Sequence, residues 1–290
     1  MSLSLVAQSP TVPDLAHTPK ATLERTQIAI PAEVGYPSSV TMDDAGLIYV
    51  LHRGEKADPV LVLNREGKIV RSWGKGLYKI PHSIRIDPQG NIWTVDSGSS
   101  MVLKFSPKGE KLMEISVGEQ PPGRGPTNGT TDIAFGSNGR IFISDGYGNA
   151  RVLEYTSKGE RVRQWGSKGE GPGQFNQPHG IAVDNEGIIY VADRNNARIQ
   201  RFDLDGKFLG EWNHLGKVTT VVSRGGALWA GTQIRTLPNE ADGWQVKVDR
   251  KTGKILSYTE SGRSHHILNL NKSGELLSGA RPDIAWWFKK

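Results

Sequence analysis

Three of the chain's seven histidines stand in nearly the same local setting. They occur as Pro81-His82-Ser83-Ile84, Pro178-His179-Gly180-Ile181 and Ser264-His265-His266-Ile267, each just before an apolar run. Counted from the first apolar residue of that run, His82, His179 and His265 sit two positions ahead of it. Three imidazole nitrogens with a fourth position open is the arrangement of a catalytic zinc ion, whereas structural zinc takes four protein ligands. A lone histidine at a strand start is more often a hydrogen-bonded surface residue. Three in one register argue for a shared metal ion. The chain has no cysteine, which excludes thiolate ligands, disulfides and a cysteine nucleophile together. His17, His52 and His214 fall in unrelated registers and carry no predicted role.

The elements that must bring these residues together are written as a repeat. Val40–Val50, Ile84–Val95, Ile133–Ser144, Ile181–Ala192 and Ile267–Leu277 each read as a short apolar strand, a turn closed by glycine and a second strand. Val218–Ala230 shows the same form in degraded sequence. The turn glycines Gly46, Gly90, Gly139, Gly187, Gly226 and Gly274 lie 39 to 49 residues apart, the period of a β-propeller blade. A second set of turns, Asn64–Gly67, Ser106–Gly109, Ser157–Gly159, Asp203–Gly206 and Arg250–Gly253, supplies the outer two strands of each blade. Six inner hairpins stand against five outer ones, so the last blade is one strand short. Arg25–Ile30 alternates like a strand and is predicted to pair beside Ala285–Phe288, closing the ring and removing two sheet edges.

The expected fold is therefore all-β: a six-bladed β-propeller of four-stranded antiparallel blades over residues 24–290, with a flexible N-terminal segment over 1–23. The innermost strands ring a central channel. Ser38, His82, Thr131, His179 and His265 then share one level of it, with blades 2, 4 and 6 about 120° apart. Trp73, Trp165 and Trp212 recur at the ends of fourth strands and are predicted to pack between blades. Asp96, Asp145 and Asp193 recur at one position of three blades and are read as turn caps.

The net charge is +6, but lysines and arginines are scattered among the turns. That is solvated turn charge rather than a nucleic-acid stripe, and nucleic acid is not an expected partner. No run is long enough to cross a bilayer as a helix, and a monomer is expected. Ser2-Leu3-Ser4-Leu5-Val6-Ala7 reads either as the stub of a signal-peptide apolar region, which would place the protein in the periplasm or outside the cell, or as an ordinary tail.

The repeats match the NHL type, clearest in Gly171-Pro-Gly-Gln-Phe-Asn-Gln-Pro178 and Ala192-Asp-Arg-Asn-Asn-Ala-Arg-Ile-Gln200. Within that group the chain resembles the catalytic core of peptidyl-α-hydroxyglycine α-amidating lyase from about Val34 to Phe288, most strongly over the first four blades. The markers are His52-Arg53-Gly54, Ile80-Pro-His82, Ser144-Asp-Gly-Tyr147, Gln177-Pro-His179 and Val191-Ala-Asp-Arg194. The resemblance implies zinc on His82, His179 and His265, and cleavage of a C–N bond in an α-hydroxyglycine-extended peptide to give an amide and glyoxylate. It further implies that Tyr147 takes the hydroxyl proton and that Arg53 steadies the developing negative oxygen. Arg194 would grip the carboxylate of a small-molecule or peptide substrate. Each also has a plain structural reading: Arg53 as a solvated loop charge, Tyr147 as a channel cap, Arg194 as a partner of Asp193.

Two features depart from the family. There an aspartate follows the third zinc histidine and helps bind calcium, alongside two carbonyls whose positions match Val40 and Ile84. Here that place holds His266, and an imidazole is a poor ligand for calcium. The disulfides of some members have no counterpart. Two other readings stay open: a hydrolase or lactonase on a similar propeller, and a peptide- or RNA-binding NHL module. A lactonase site wants acidic and amide ligands at the channel, and a module has no need of three alternate-blade histidines.

Overall fold

The computed structural model describes residues 13–118, 120–121, 127–233, 243–261, 266–279 and 283–288. Strands at the centre of the ring are buried along their whole length, as in Pro81–Ile86 and Pro178–Val183, where at most the last residue is partly exposed. Outer strands such as Lys111–Ser116 and Arg161–Trp165 are largely exposed. This gradient follows from the sequence, which is nearly continuous in apolar and small residues near the axis and alternates or turns polar at the rim.

Six four-stranded antiparallel sheets result. Blades 1 to 5 begin with inner strands Tyr36–Met42, Pro81–Ile86, Asp132–Phe135, Pro178–Val183 and Val218–Arg224 and run outward in chain order. Blade 6 combines Leu268–Leu270, Leu276–Gly279 and Asp283–Phe288 with Glu24–Ala29, paired antiparallel from Glu24↔Phe288 to Ala29↔Asp283. The predicted closure by both termini is present. The hairpin turns depend on glycine at positive φ, as at Gly90 (86°) and Gly187 (82°), where a side chain would be strained.

Neighbouring blades interlock through their tryptophans. A Cβ added to Gly109, Gly206 or Gly253 would meet Trp73, Trp165 or Trp212 of the preceding blade within 3.0 Å. Each indole thus lies flat against the outer turn of the next blade, the packing role expected of it. Part of the N-terminal segment, from residue 13 on, lies against the ring. Leu15 packs against the core shared by blades 4 and 5, and Ala21 and Leu23 against that shared by blades 5 and 6. The Ala21 N–H donates to the Tyr258 carbonyl (2.6 Å) and the Tyr258 N–H to the Pro19 carbonyl (3.1 Å). The outermost strand of blade 5, Ile255–Glu260, is an open edge that this segment covers. Residues 1–12, with the Ser2–Ala7 stretch, lie outside the described residues.

Candidate metal centre at the channel mouth

Most inner strands carry a β-bulge at the same place. Pairing skips Ser38 in blade 1, His82 in blade 2, His179 with Gly180 in blade 4 and Thr219 in blade 5. A bulged residue drops out of the ladder and its side chain is re-aimed. In blades 2 and 4 the bulged residue is an imidazole-bearing one, and in blades 1 and 5 it is Ser38 or Thr219, whose carbonyl accepts from an imidazole. The His82 Nδ1 lies 2.5 Å from the Thr131 carbonyl, the His179 Nδ1 2.7 Å from the Thr219 carbonyl and the His266 Nδ1 3.1 Å from the Ser38 carbonyl. A carbonyl can only accept, so each Nδ1 carries the proton and each Nε2 keeps its lone pair.

His82, His179 and His266 form one group whose ligand atoms all lie within 4.8 Å of one another, able to hold a metal ion. Their ring centroids are 4.4 to 5.0 Å apart. The expected third ligand, His265, lies outside the described residues, and the imidazole that joins the other two is its neighbour, His266. The hairpin turn explains the shift. His82 and His179 stand five residues before Asp87 and Asp184, which open the turns closed by Gly90 and Gly187; five before Asn271, which opens the turn closed by Gly274, is His266. The strand that follows is Leu268–Leu270, so Leu268 rather than Ile267 matches Ile84 and Ile181.

Burial holds all three imidazoles well below their usual pKa, with His266 at about 3; the neighbouring imidazoles and the Arg53 and Arg194 guanidiniums push the same way. All three are neutral at neutral pH. The Tyr147 Oη stands 2.9 Å from the His82 Nε2 and 3.2 Å from the His179 Nε2, beside two of the three imidazoles. Its loop comes this close because residue 146 is glycine: a Cβ there would fall 1.8 Å from the Pro178 carbonyl oxygen. Burial raises the Tyr147 pKa, while Arg194 and Arg53 draw it down. The Arg53 Nε donates to the Pro81 carbonyl (2.9 Å), one residue before His82, and its guanidinium lies over the Tyr36 ring at 5.9 Å. Arg53, Tyr147 and Arg194 therefore surround the tripod, and Tyr36 joins them without having been singled out in the sequence.

The recurring aspartates hold the loops that lead into this site. Asp96 accepts from the Lys79 and Ile80 N–H groups (3.0 and 2.5 Å), and Asp193 from the Asn176 N–H (2.7 Å) and the Arg198 Nε (2.8 Å). Arg198, not Arg194, is the ion-pair partner of Asp193. His52 is a loop clamp: its Nδ1 accepts from the Gly35 N–H (3.2 Å) and its Nε2 lies 2.8 Å from the Asp58 carbonyl.

Deeper in the channel the chain supplies its own cation. The Arg85 guanidinium forks onto Asp132 (2.9 and 2.5 Å) and donates to the Leu268 carbonyl and the Asn269 Oδ1 (2.6 and 2.7 Å). The Asn269 Nδ2 donates to the carbonyls of Val40 and Ile84 (2.6 and 3.4 Å). The two carbonyls matched to the family's calcium site are thus bound by an amide beside a fixed positive charge, and Ile267 follows the third imidazole. Calcium does not fit this channel.

The chain belongs to the 6-bladed beta-propeller family, whose model matches residues 129–274. Its similarity to curated proteins is narrower in kind. It is 29% identical over 234 residues to a "probable peptidyl-alpha-hydroxyglycine alpha-amidating lyase" of Caenorhabditis elegans, an alignment covering 75% of this chain and 66% of the relative. It is 32% identical over 213 residues to the "peptidyl-glycine alpha-amidating monooxygenase" of Mus musculus, covering 62% of this chain but 22% of that protein. The chain spans two thirds or less of the length of these relatives. Among solved structures, a gluconolactonase of Xanthomonas campestris superposes with a TM-score of 0.66 at 13% identity, covering 98% of each chain, which is a likeness of fold.

Proposed function

We propose that the protein is a zinc-dependent lyase that cleaves the C–N bond of an α-hydroxyglycine-type substrate, giving an amide and glyoxylate. The observation that carries this is the tripod itself: three neutral Nε2 atoms, each imidazole fixed by a backbone carbonyl, converging beside a buried tyrosine hydroxyl in a chain similar to amidating lyases. His82, His179 and His266 would hold the ion, which when bound supplies Lewis acidity to the substrate hydroxyl. Arg194 grips the substrate carboxylate through its planar fork. Arg53, anchored on the Pro81 carbonyl, steadies the oxygen on which negative charge grows. Tyr147 takes the hydroxyl proton as the carbonyl of glyoxylate forms and the C–N bond breaks, then returns that proton to the departing amide nitrogen. Burial disfavours the phenolate this needs, and the two guanidiniums favour it.

The substrate is a small or peptidic carboxylate. A binding-module reading leaves the alternate-blade imidazoles and the buried tyrosine without a purpose. The test is to load the protein with zinc, incubate it with an α-hydroxyglycine-terminated peptide and assay glyoxylate. Glyoxylate released in proportion to bound zinc is the expected result. None from a fully loaded sample would reject the reaction while leaving the tripod in place.

A further inference from the structure

His82 and His179 lie on the inner strands of blades 2 and 4, and His266 just before that of blade 6. The blades are separate sheets, so no strand ladder sets the distance from one imidazole to the next. Apolar packing between blades is non-directional and permits small slips. A metal site tolerates errors of only about 0.2 Å in its bonds. Something directional must therefore hold the three strands at one spacing.

Directly below the tripod, one buried network grips all three. Ser83, next to His82, donates its hydroxyl to the Asp132 Oδ1 (2.6 Å). The N–H of Ile181, two residues past His179, donates to the Asp132 Oδ2 (3.3 Å). The carbonyl of Leu268, two residues past His266, accepts from the Arg85 Nη1 (2.6 Å), and Arg85 closes the circuit with its fork onto Asp132. The network also reaches the carbonyls that orient the imidazoles. Asp132 follows Thr131, whose carbonyl faces the His82 Nδ1. Asn269 donates to the Val40 carbonyl, two residues past Ser38, whose own carbonyl faces the His266 Nδ1. Thr220 follows Thr219, the partner of His179, and accepts from the Leu268 N–H (3.2 Å). Ser83, Arg85, Asp132, Thr220 and Asn269 are all buried.

Resting on the metal centre of the proposed function, though not on its chemistry, we infer that Arg85 and Asp132 are positioning residues for the tripod. They set the spacing of the three imidazoles, and metal affinity depends on them beyond what they contribute to folding. A guanidinium suits the task because its planar fork takes the carboxylate on one edge and leaves Nη1 to hold a carbonyl of another blade.

The test is zinc affinity, measured by competition with a chromophoric chelator at a temperature where circular dichroism shows every variant folded. Arg85→Met should bind zinc about 10–100-fold more weakly, the usual effect of removing a partner that orients metal ligands. Arg85→Met/Asp132→Asn should regain stability but not affinity, because the Leu268 carbonyl and Asn269 still lack their donor. Ser83→Ala keeps the ion pair and should lose on the order of fivefold, the worth of one hydrogen bond. With cobalt in place of zinc, the visible absorption bands should differ from native in both Arg85 variants, since they report the arrangement of the ligands. Native zinc affinity in Arg85→Met would overturn the inference. So would a double variant that regains native affinity and cobalt spectrum together with its stability, for the network would then act through folding alone. A native protein that takes up neither zinc nor cobalt would overturn the metal centre and the platform together. None of these readings uses turnover, so failure of the lyase chemistry shows itself separately, in the glyoxylate assay.

Discussion

Replacing Arg85 by methionine tests whether the network below the tripod is structural and how much the ring depends on it. Arg85 and Asp132 have side-chain exposures of 9% and 0%, so the change keeps volume but strands a carboxylate in the channel. Asp132 would keep the Ser83 hydroxyl (2.6 Å) and the N–H groups of Ile133 (2.9 Å) and Ile181 (3.3 Å), yet lose the guanidinium paired with it. The Leu268 carbonyl and the Asn269 Oδ1 would lose a donor at the same time. Breaking a buried pair from one side costs about 3–5 kcal/mol, and for a domain of this size that lowers the melting temperature by roughly 6–15 °C. Urea unfolding followed by tryptophan fluorescence measures it. Arg85→Met/Asp132→Asn should recover a large part, because no charge is then left buried alone. Lys111→Met is the control: its pair with Glu114 is half exposed and worth about 0.5 kcal/mol or less. A loss below about 1 kcal/mol for Arg85→Met would refute the reasoning, since no buried charge could then depend on that guanidinium.

Four further outcomes follow. His266→Ala should abolish tight zinc binding measured by atomic absorption, while His265→Ala should leave it intact; the opposite result would return the third ligand to His265. Tyr147→Phe should retain zinc but lose about 10²–10⁴-fold in kcat, the usual worth of a positioned acid–base group. With a chelator present, stability should fall as the pH drops below about 6.5, because the unfolded chain protonates imidazoles that the folded chain keeps neutral; His82→Asn should remove about 1.4 kcal/mol per pH unit of that loss, read as the difference between two melting series. Calcium should leave the melting temperature where it was, since the Val40 and Ile84 carbonyls already accept from Asn269.

The blade count, the turn glycines, the closure by both termini and two of the three imidazoles are legible in the sequence because each is a local pattern repeated. The imidazole that the structure groups with those two is the neighbour of the expected His265, for a physical reason. Register is fixed at the turn, where the Asp87 Oδ1 accepts from the Gln89 and Asn91 N–H groups and the Asn271 Oδ1 from that of Glu275. In blade 6 the apolar run begins one residue early, at Ile267, so counting from the first apolar residue stops at His265, whereas counting back from the turn reaches His266. The bulge at Thr219 places the degraded fifth copy. The Arg85–Asp132–Asn269 network leaves no such trace. Its members come from blades 2, 3 and 6 with no common spacing, and only closure of the ring makes them neighbours.

Closure also sets the order in which the centre comes into being. Glu24 pairs with Phe288, 264 positions away, a contact that brings a heavy loop-closure entropy and forms late. His266 precedes the innermost strand of that same blade, whereas His82 and His179 sit on blades made wholly of nearby chain. A partly folded molecule thus offers at most two of the three imidazoles in place, and two cannot hold the ion as three do. On the proposed function, metal capture would report on a finished ring: a molecule whose last blade had not zipped shut would stay metal-poor and inactive, so incomplete folding and stray reactivity would not coincide.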